Sequence, residues 1–278
     1  MNKIDDLFEL NNISKSIRIE IIKSLAEAGS GHLGGSLGLA DVFTVLYFNI
    51  LNHKPNQPEW KDRDRLVLSI GHVAPVLYSA LANAGYFSKD ELLTLRKLGS
   101  RLQGHPGKNH LLPGIEVSSG SLGQGLSVAV GMALSAKSDD KKWRIYSIHG
   151  DGEIQEGSIW EAAMSAAHYK LDNITALIDR NGLQIDGSTT DVMNLEPLDK
   201  KWEAFGWNVI SCDGNDIGDL VNSFRSAIEF KGKPSVIIAN TIMGKGVKAI
   251  ENNNLWHGKV PSKSDIDSFI SQVLGSEK

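Results

Sequence analysis

Two apolar runs that each end in a short polar turn constrain the fold of this chain more than any other feature. The run at 143–149 is followed by Gly-Asp-Gly, a helical stretch covers about 157–169, and the run at 174–179 is followed by Arg-Asn-Gly. Near-continuous apolar runs are typical of strands that helices cover on both faces of a parallel sheet. The right-handed crossover of such a β-α-β unit places both strand ends at one edge of the sheet.

The same alternation extends over most of the chain. Further strands are predicted at 65–70, 207–211 and 235–240, with helices at about 126–137 and 217–230. Apolar residues at helical spacing predict a first helix capped by Asn12 or Ser14 and a second helix at about 39–51. Ser88 and Glu91 match a capping box before another helical stretch. We therefore predict one α/β domain over residues 1–278, a parallel sheet sandwiched by helices, with the N-terminal helices of residues 12–51 packed on it.

Composition excludes several classes of function. The chain has 29 Lys+Arg against 33 Asp+Glu, a formal net charge of −4, and no local basic cluster, so nucleic acid is not a predicted partner. The longest apolar stretch contains Asp41 and is too short to span a bilayer, and the N-terminus lacks the pattern of a signal peptide. The single cysteine, Cys212, cannot form an internal disulfide. These features predict a cytoplasmic protein without a membrane partner.

The turns after the two apolar runs place one carboxylate and one carboxamide close together. Asp151 lies between Gly150 and Gly152, and Asn181 follows the next strand. Oxygen ligands of this kind suit Mg²⁺, which usually takes its other ligands from phosphate and water. The two glycines allow a sharp turn and the close approach of a bulky anion. From these residues alone a plain turn remains the alternative. A nicotinamide site is not indicated, because the glycines of GSLGQG at 120–125 have the wrong spacing.

Half of the histidines lie in glycine-rich turns. These are His32, His72, His105 and His257. Imidazoles at such positions can donate, accept and carry protons near neutral pH, although each one alone fits a packing role equally well. Their spacing does not match a zinc motif. The other four, His53, His110, His149 and His168, lack this context and are predicted to be surface or packing residues.

With these features in place, the sequence resembles the N-terminal half of transketolase, a thiamine-diphosphate enzyme. GDGEIQEGSIWEA and DNITALIDRNGLQIDG resemble the family's cofactor motif, and 28 residues separate Gly152 from Asn181. The segments SGHLGGSLGLADV, DRDRLVLSIGHVAPVLYSAL, QGHPG, GIEVSSGSLGQGLSVAVGMA and TIMGKGV with WHG resemble further transketolase segments in the same order. The resemblance spans almost the whole chain.

The resemblance implies a role for each matching position. Asp151, Asn181 and the backbone carbonyl of Leu183 would bind Mg²⁺, Ca²⁺ or Mn²⁺. The cofactor would contact Gly150, Gly152, His72 and His257 at its diphosphate, Gly120 and Leu122 at its aminopyrimidine, and Ile185 and Ile242 at its thiazolium ring. His32, His72, His105 and His257 would line the substrate channel. Glu156 and Glu161 would lie near a dimer interface and take part in communication between cofactor sites.

The chain departs from the family in its length. Full-length transketolases are more than twice as long and contain a pyrimidine-binding domain, which carries the glutamate that activates the cofactor, and a C-terminal domain. We therefore expect the N-terminal subunit of a split transketolase (EC 2.2.1.1), which works with a separate C-terminal subunit as a heterotetramer and transfers a two-carbon ketol unit between sugar phosphates, as in the pentose phosphate pathway. The alternatives are a subunit of deoxyxylulose-phosphate synthase and a non-catalytic stabilising subunit.

Overall fold

Among the described residues, five parallel strands form the sheet that the apolar runs predict. The computed structural model describes residues 3–275. The strands of the sheet are β1 (Arg65–Leu68), β2 (Ile145–Gly150), β3 (Ile174–Arg180), β6 (Asn208–Asp213) and β7 (Ser235–Asn240), and their order across the sheet is β1-β2-β3-β7-β6. A separate hairpin consists of β4 (Leu183–Gln184) and β5 (Gly187–Ser188). The α/β fold with a parallel sheet is therefore confirmed.

Helices follow or precede nearly every strand. They are α1 (Leu7–Ala28), α2 (Leu33–Gly38), α3 (Ala40–Val45), α4 (Ala74–Asn83), α5 (Gly125–Ser138), α6 (Gly157–His168), α7 (Thr189–Val192), α8 (Leu198–Ala204), α9 (Ile217–Glu229) and α10 (Ile266–Leu274). A π-helical turn, Leu46–Ile50, continues α3. Among residues 3–275, no helix combines the length and the apolar character that crossing a bilayer requires.

Two hydrophobic cores, one on each face of the sheet, explain why the strands are apolar without alternation. Successive strand residues point to opposite faces. Ile145 and Ile178 therefore enter the core that includes α5, α6 and α8, whereas Tyr146 and Leu177 enter the core that includes α1, α4 and α9. Each such side chain stabilises the fold by about 1.5–3 kcal/mol through burial.

The N-terminal helix begins earlier than the sequence predicts. Asp6 caps α1, because its Oδ1 accepts from the backbone N–H of Phe8 at 2.8 Å and of Glu9 at 3.4 Å. The prediction that Asn12 or Ser14 caps this helix is therefore wrong. Ser14 is buried within α1 and donates its hydroxyl hydrogen to Asp41 at 2.5 Å. Its polar side chain serves a buried contact between helices and not a helix end.

The predicted capping box is half correct. Ser88 accepts from the backbone N–H of Asp90 at 3.3 Å and starts a turn of 3₁₀-helix, Lys89–Thr94. Glu91 does not complete the box, because its two carboxylate oxygens accept from the guanidinium of Arg101 at 2.9 and 2.8 Å. A bidentate, charge-assisted contact of this kind is stronger than a single bond to a backbone N–H. The helical stretch predicted after Ser88 accordingly ends at Thr94.

A buried ion pair connects α1 to loops at the carboxyl edge of the sheet. Arg18 and Asp41 are 2.6 Å apart and nearly inaccessible to solvent. Asn215 donates to Asp41 Oδ2 at 2.9 Å and accepts from the backbone N–H of Ile242 at 2.8 Å. Arg18 also donates to the carbonyl oxygen of Lys245 at 3.1 Å. Through these contacts the N-terminal helices hold the loop that follows β7.

The direction of the crossovers reverses between β3 and β7. The chain passes from β1 to β2 to β3 in one direction, whereas the connection from β6 returns to β7, which pairs with β3. In open parallel sheets, the crevice at the carboxyl ends of strands beside such a reversal is the usual ligand site. The end of β3, where Asn181 follows, therefore lies at the position where a ligand is expected.

Candidate functional site

A cavity of about 340 Å³ opens at the carboxyl edge of the sheet. Pockets of this size accept small organic ligands. The structure brings twelve of the fourteen predicted site residues into its wall: His32, His72, His105, Gly120, Leu122, Gly150, Asp151, Gly152, Asn181, Leu183, Ile185 and His257. Residues from positions 32 to 257 thus converge although the sequence separates them widely.

Two of the predicted site residues lie outside the wall of this cavity. Glu156, which immediately precedes α6, is exposed and packs beside Gly123, where an added Cβ would lie 2.8 Å from the Glu156 Cβ. Ile242 is adjacent to Met243, which does line the cavity. The backbone N–H of Ile242 donates to Asn215, so its contribution is to hold the loop that carries Met243.

The carboxylate of Asp151 is buried, with 1% exposure, at the end of β2. Its Oδ1 accepts from the backbone N–H of Gly152 at 2.8 Å. Its Oδ2 accepts from the backbone N–H of Gly182 at 2.6 Å and from Arg180 Nη1 at 3.0 Å. Burial raises the pKa of Asp151 above its ordinary value, although the bond from Gly182 and the charge of Arg180 oppose the rise. The carboxylate is therefore held in one orientation at the cavity wall.

Asn181 is oriented by an acidic residue that the sequence reasoning missed. Its Nδ2 donates to Asp179 Oδ2 at 3.0 Å, and its Oδ1 accepts from the backbone N–H of Leu183 at 2.9 Å. Asp179 also accepts from the hydroxyl of Thr241. Burial, with the neighbouring charge of Asp151 as a smaller cause, raises the pKa of Asp179 to about 7. The sequence signal for Asp179 is an acidic residue at the end of an otherwise apolar strand.

Three of the four predicted histidines form a triangle on one side of the cavity. The ring centroids of His32 and His72 are 5.0 Å apart, those of His72 and His257 are 5.1 Å apart, and those of His32 and His257 are 5.8 Å apart. His105 is more exposed and lies against Gly120, where an added Cβ would be 3.3 Å from its ring. The Nδ1 atoms of His32 and His257 are buried and have no hydrogen-bond partner among residues 3–275.

The triangle favours neutral imidazoles. Burial, with smaller contributions from neighbouring histidines, lowers the pKa of His72 to about 3. Burial, the charge of His257 and the charge of Arg96 lower the pKa of His32 to about 4. Burial, with a smaller contribution from the charge of Arg96, lowers the pKa of His105. Burial also lowers the pKa of His257. At neutral pH these side chains can therefore both donate and accept hydrogen bonds.

The low pKa of His72 predicts a loss of stability in mild acid. The unfolded chain binds a proton at His72 below about pH 6.5, whereas the folded chain does so only near pH 3, so the free energy of unfolding falls as the pH drops. We expect His72 to account for a loss of about 2 kcal/mol between pH 7 and pH 5, at about 1.4 kcal/mol per pH unit below pH 6.5. Urea unfolding of His72→Gln should show a correspondingly weaker pH dependence, whereas His168→Gln, which changes an exposed histidine, should follow the wild type. Parallel curves for all three proteins would contradict the assignment.

The wall of the cavity fits a divalent metal and a diphosphate. Within residues 3–275, no three side chains of His, Cys, Asp or Glu are placed to hold a metal together, so an ion here would draw on Asp151, the amide oxygen of Asn181, a backbone carbonyl, water and a bound anion. Such a set of hard oxygen ligands is the one that Mg²⁺ prefers. A Cβ at position 152 would lie 3.3 Å from the Cβ of Gln184 and would narrow the cavity at this point. Because Gly152 has no side chain, this space is open to the anion.

Two further cavity residues lacked a recognised sequence signal. Glu153 is buried beneath the Gly-Asp-Gly turn and contacts His149, which the sequence placed only among surface or packing residues. Met243 supplies an apolar surface after β7. Of the other histidines without a glycine-rich context, His53 is buried against Tyr47 and Tyr86, whereas His168 is exposed. The remaining one, His110, lies in a 3₁₀ turn.

The sheet and the cavity at its carboxyl edge define a ligand-binding domain of the open α/β class. The sequence matches the family model described as transketolase, thiamine diphosphate binding domain, over residues 10–277. An apulose-4-phosphate transketolase subunit of Actinobacillus succinogenes is 45% identical over 266 residues, which cover 95% of this chain and 96% of that protein. A 6-deoxy-6-sulfo-D-fructose transketolase subunit of a Clostridium species is 45% identical over 249 residues, 90% of each chain.

Solved transketolases share this fold. The transketolase of Leishmania mexicana superposes with a TM-score of 0.89 at 32% identity, over 95% of this chain and 41% of its own length. The transketolase of Campylobacter jejuni superposes with a TM-score of 0.87 at 35% identity, over 99% of this chain and 43% of its own length. The chain thus spans about two fifths of these solved transketolases. It belongs to the transketolase family, as the family's thiamine diphosphate-binding domain.

Proposed function

We propose that this chain is the thiamine diphosphate- and Mg²⁺-binding subunit of a ketol transferase that is completed by a separate chain. The observation that supports the proposal most strongly is the meeting of a buried Asp151, an oriented Asn181 and the histidine triangle in one cavity. In this proposal Asp151, Asn181 and the carbonyl of Leu183 hold the metal. Gly150, Gly152, His72 and His257 hold the diphosphate, with Ca²⁺ or Mn²⁺ as possible replacements for the metal.

The rest of the cavity is assigned to the cofactor rings and the sugar. Gly120 and Leu122 would contact the aminopyrimidine, and Ile185 and Ile242 the thiazolium ring. When bound, the cofactor supplies the electron sink for transfer of a two-carbon ketol unit. The four histidines bind and orient hydroxyl groups of the sugar, and neutral imidazoles can give or take a proton at those oxygens. Exposed Glu156 and Glu161 stay assigned to a subunit interface near the cofactor.

Exposed apolar side chains at the cavity support the presence of a partner chain. Leu122 and Ile185 line the cavity and remain 40% and 68% exposed, and Leu255, two residues before His257, is 74% exposed. Apolar surface grouped around a site marks an interaction surface. The relatives of similar length are themselves designated subunits. We assign the partner the pyrimidine-binding half and the activating glutamate, and the assembly two copies of each chain.

The names of the relatives guide the choice of substrate. Apulose-4-phosphate carries a phosphate and 6-deoxy-6-sulfo-D-fructose a sulfonate, so relatives of this size act on different anionic ketoses. We propose an anionic ketose donor and an aldose phosphate acceptor, with ordinary transketolase activity on pentose phosphates in the cytoplasm as one member of that class. A panel of ketose and aldose phosphates would identify the pair.

Reconstitution tests the proposed function. The purified chain, supplied with thiamine diphosphate and Mg²⁺, is expected to bind the cofactor but to transfer no ketol unit. Addition of a chain that carries the pyrimidine-binding half should produce transfer, measured as aldose formed from the ketose donor. Robust transfer by the chain alone would contradict the split arrangement. Pyruvate consumption with release of carbon dioxide would instead favour a deoxyxylulose-phosphate synthase.

His105 separates a catalytic role of this chain from a merely stabilising one. His105 lines the cavity against Gly120, on the loop assigned to the aminopyrimidine, and is not one of the proposed metal ligands. His105→Ala should therefore lower turnover of the reconstituted complex about 100-fold, within the usual range for loss of a proton-transferring group, without loss of metal binding. The exposed His168→Ala is the matched control and should retain full turnover. Unchanged turnover of His105→Ala would favour the stabilising role.

A further inference from the structure

One buried carboxylate, that of Glu153, joins two loops of the cavity. Its Oε2 accepts from the backbone N–H of Gly150 at 3.2 Å and lies 3.2 Å from Nδ1 of His149. Its Oε1 accepts from the backbone N–H of Gly123 at 2.9 Å and from the hydroxyl of Ser69. Because Glu153 is only 2% exposed, bulk water does not compete for these bonds.

Ser69 extends this connection along the loop that precedes α5. Its Oγ donates to Glu153 and accepts from the backbone N–H of Gly125 at 3.1 Å. A buried backbone N–H needs an acceptor. Glu153 is the acceptor for the N–H of Gly123, and Ser69 is the acceptor for the N–H of Gly125. A Cβ at Gly125 would collide with the Ser69 side chain, and one at Gly123 would lie 2.7 Å from the Ser158 hydroxyl oxygen. Gly123 and Gly125 are therefore the buried, closely packed residues of the loop at 120–125.

We propose that Glu153 is a positioning residue that fixes the distance between the turn at 150–152 and the loop at 120–125, and so sets how well the domain holds both ends of thiamine diphosphate at once. The inference rests on the proposed function, in which Asp151 and Gly152 hold the diphosphate end and Gly120 and Leu122 the aminopyrimidine. A ligand that contacts both loops binds more tightly when the loops are already ordered relative to each other, since less freedom is lost on binding.

Glu153→Gln tests this role at constant side-chain volume. A carboxylate accepts on both oxygens, whereas an amide has one acceptor oxygen and one donor nitrogen. The amide oxygen can accept from Gly123 and Ser69 or from Gly150, and the NH₂ group then meets an N–H donor on the other side. One of the two loops must therefore lose its hydrogen bond to residue 153.

The experiment compares two probes on the full chain in the presence of Mg²⁺. In the proposed site thiamine diphosphate contacts both loops, whereas inorganic pyrophosphate contacts the turn at 150–152, His72 and His257 but not the loop at 120–125. The ratio of their affinities, measured by titration calorimetry, therefore reports how well the two loops are placed relative to each other. We expect Glu153→Gln to lower the preference for thiamine diphosphate by about tenfold or more, the effect of losing a hydrogen bond to a charged group. Amide hydrogen exchange should accelerate at Gly123 or at Gly150, whichever N–H loses residue 153 as its acceptor, while α10 stays unchanged. Glu229→Gln, the same change at an exposed position of α9, is the control.

The outcomes are distinct. An unchanged preference in folded Glu153→Gln overturns the positioning role, as does a uniform acceleration of exchange over the whole chain, which would indicate general destabilisation. If Glu153→Gln does not fold, Ser69→Ala, which keeps the carboxylate and loses one tie, should lower the preference in the same direction, and no change there overturns the role. If the wild type binds neither probe, the proposed function itself fails.

Discussion

Asp151→Ala is expected to abolish Mg²⁺-dependent binding of thiamine diphosphate to this chain. The substitution removes the only carboxylate of the proposed metal ligands and leaves the guanidinium of Arg180, now 3.0 Å from Asp151 Oδ2, beside the site with Glu196 as its remaining anionic partner. Loss of an outer partner of a metal ligand already weakens binding about 10- to 100-fold, so loss of the ligand itself should weaken it by at least about 100-fold. Calorimetric titration with thiamine diphosphate, with and without Mg²⁺, measures the effect.

The fold should survive the loss of this carboxylate. Arg180 keeps its contacts with Thr189 and Glu196, at 3.0 and 2.7 Å, so circular dichroism and the cooperativity of thermal unfolding should match the wild type. Asp139→Ala, which removes an exposed carboxylate at the end of α5, is the matched control and should bind normally. Retention of metal-dependent binding by folded Asp151→Ala would show that the assignment of the metal ligand is wrong.

Arg18→Met is expected to lower the free energy of unfolding by about 3–5 kcal/mol, the range for removing one partner of a buried ion pair. Burial raises the pKa of Asp41, but the charge and hydrogen bonds of Arg18 outweigh burial and hold that pKa below its ordinary value. Without Arg18, the donors to this buried carboxylate within residues 3–275 would be the neutral side chains of Ser14 and Asn215. Urea unfolding at pH 7 measures the loss.

Two comparison variants make the interpretation specific. Lys97→Met removes one partner of the exposed 2.7 Å contact between Lys97 and Glu27 and should change the free energy of unfolding by less than about 1 kcal/mol. The double variant Arg18→Met with Asp41→Leu removes both buried charges and should regain much of the lost stability. A double variant no more stable than Arg18→Met alone would show that the loss comes from packing and not from the unpaired charge.

The sequence predicted the sheet well because burial on both faces leaves a direct signal. The runs predicted at 143–149 and 174–179 match β2 and β3 within two residues at each end. Asp151 and Asn181 could be paired in advance because parallel strands end at one edge, and the register of Gly150 with Asp179 bears this out. The histidines required the family resemblance, since their meeting depends on loops separated by more than two hundred residues.

Polar side chains that bind other parts of the protein were harder to foresee. Glu91 has the spacing of a capping box, but the residue that it contacts is Arg101, which a later loop brings beside it. Glu153 and Asp179 gave no spacing signal, because their partners, Ser69 and Thr241, lie 84 and 62 residues away in the sequence. Local patterns report helix ends and strand faces, whereas a buried polar network depends on the completed fold.

The order of the strands has a consequence for the time course of folding. Residues 69–144 separate β1 from its neighbour β2, and β7, the last strand within residues 3–275, must enter between β3 and β6. Sheets built from such non-local pairs form slowly. β3 can therefore gain its native neighbour β7 only after residue 240 has been synthesised, and Asp179 can gain the hydroxyl of Thr241 only after residue 241. We expect metal binding to appear late in refolding, in step with the docking of β7 and not with the early formation of helices.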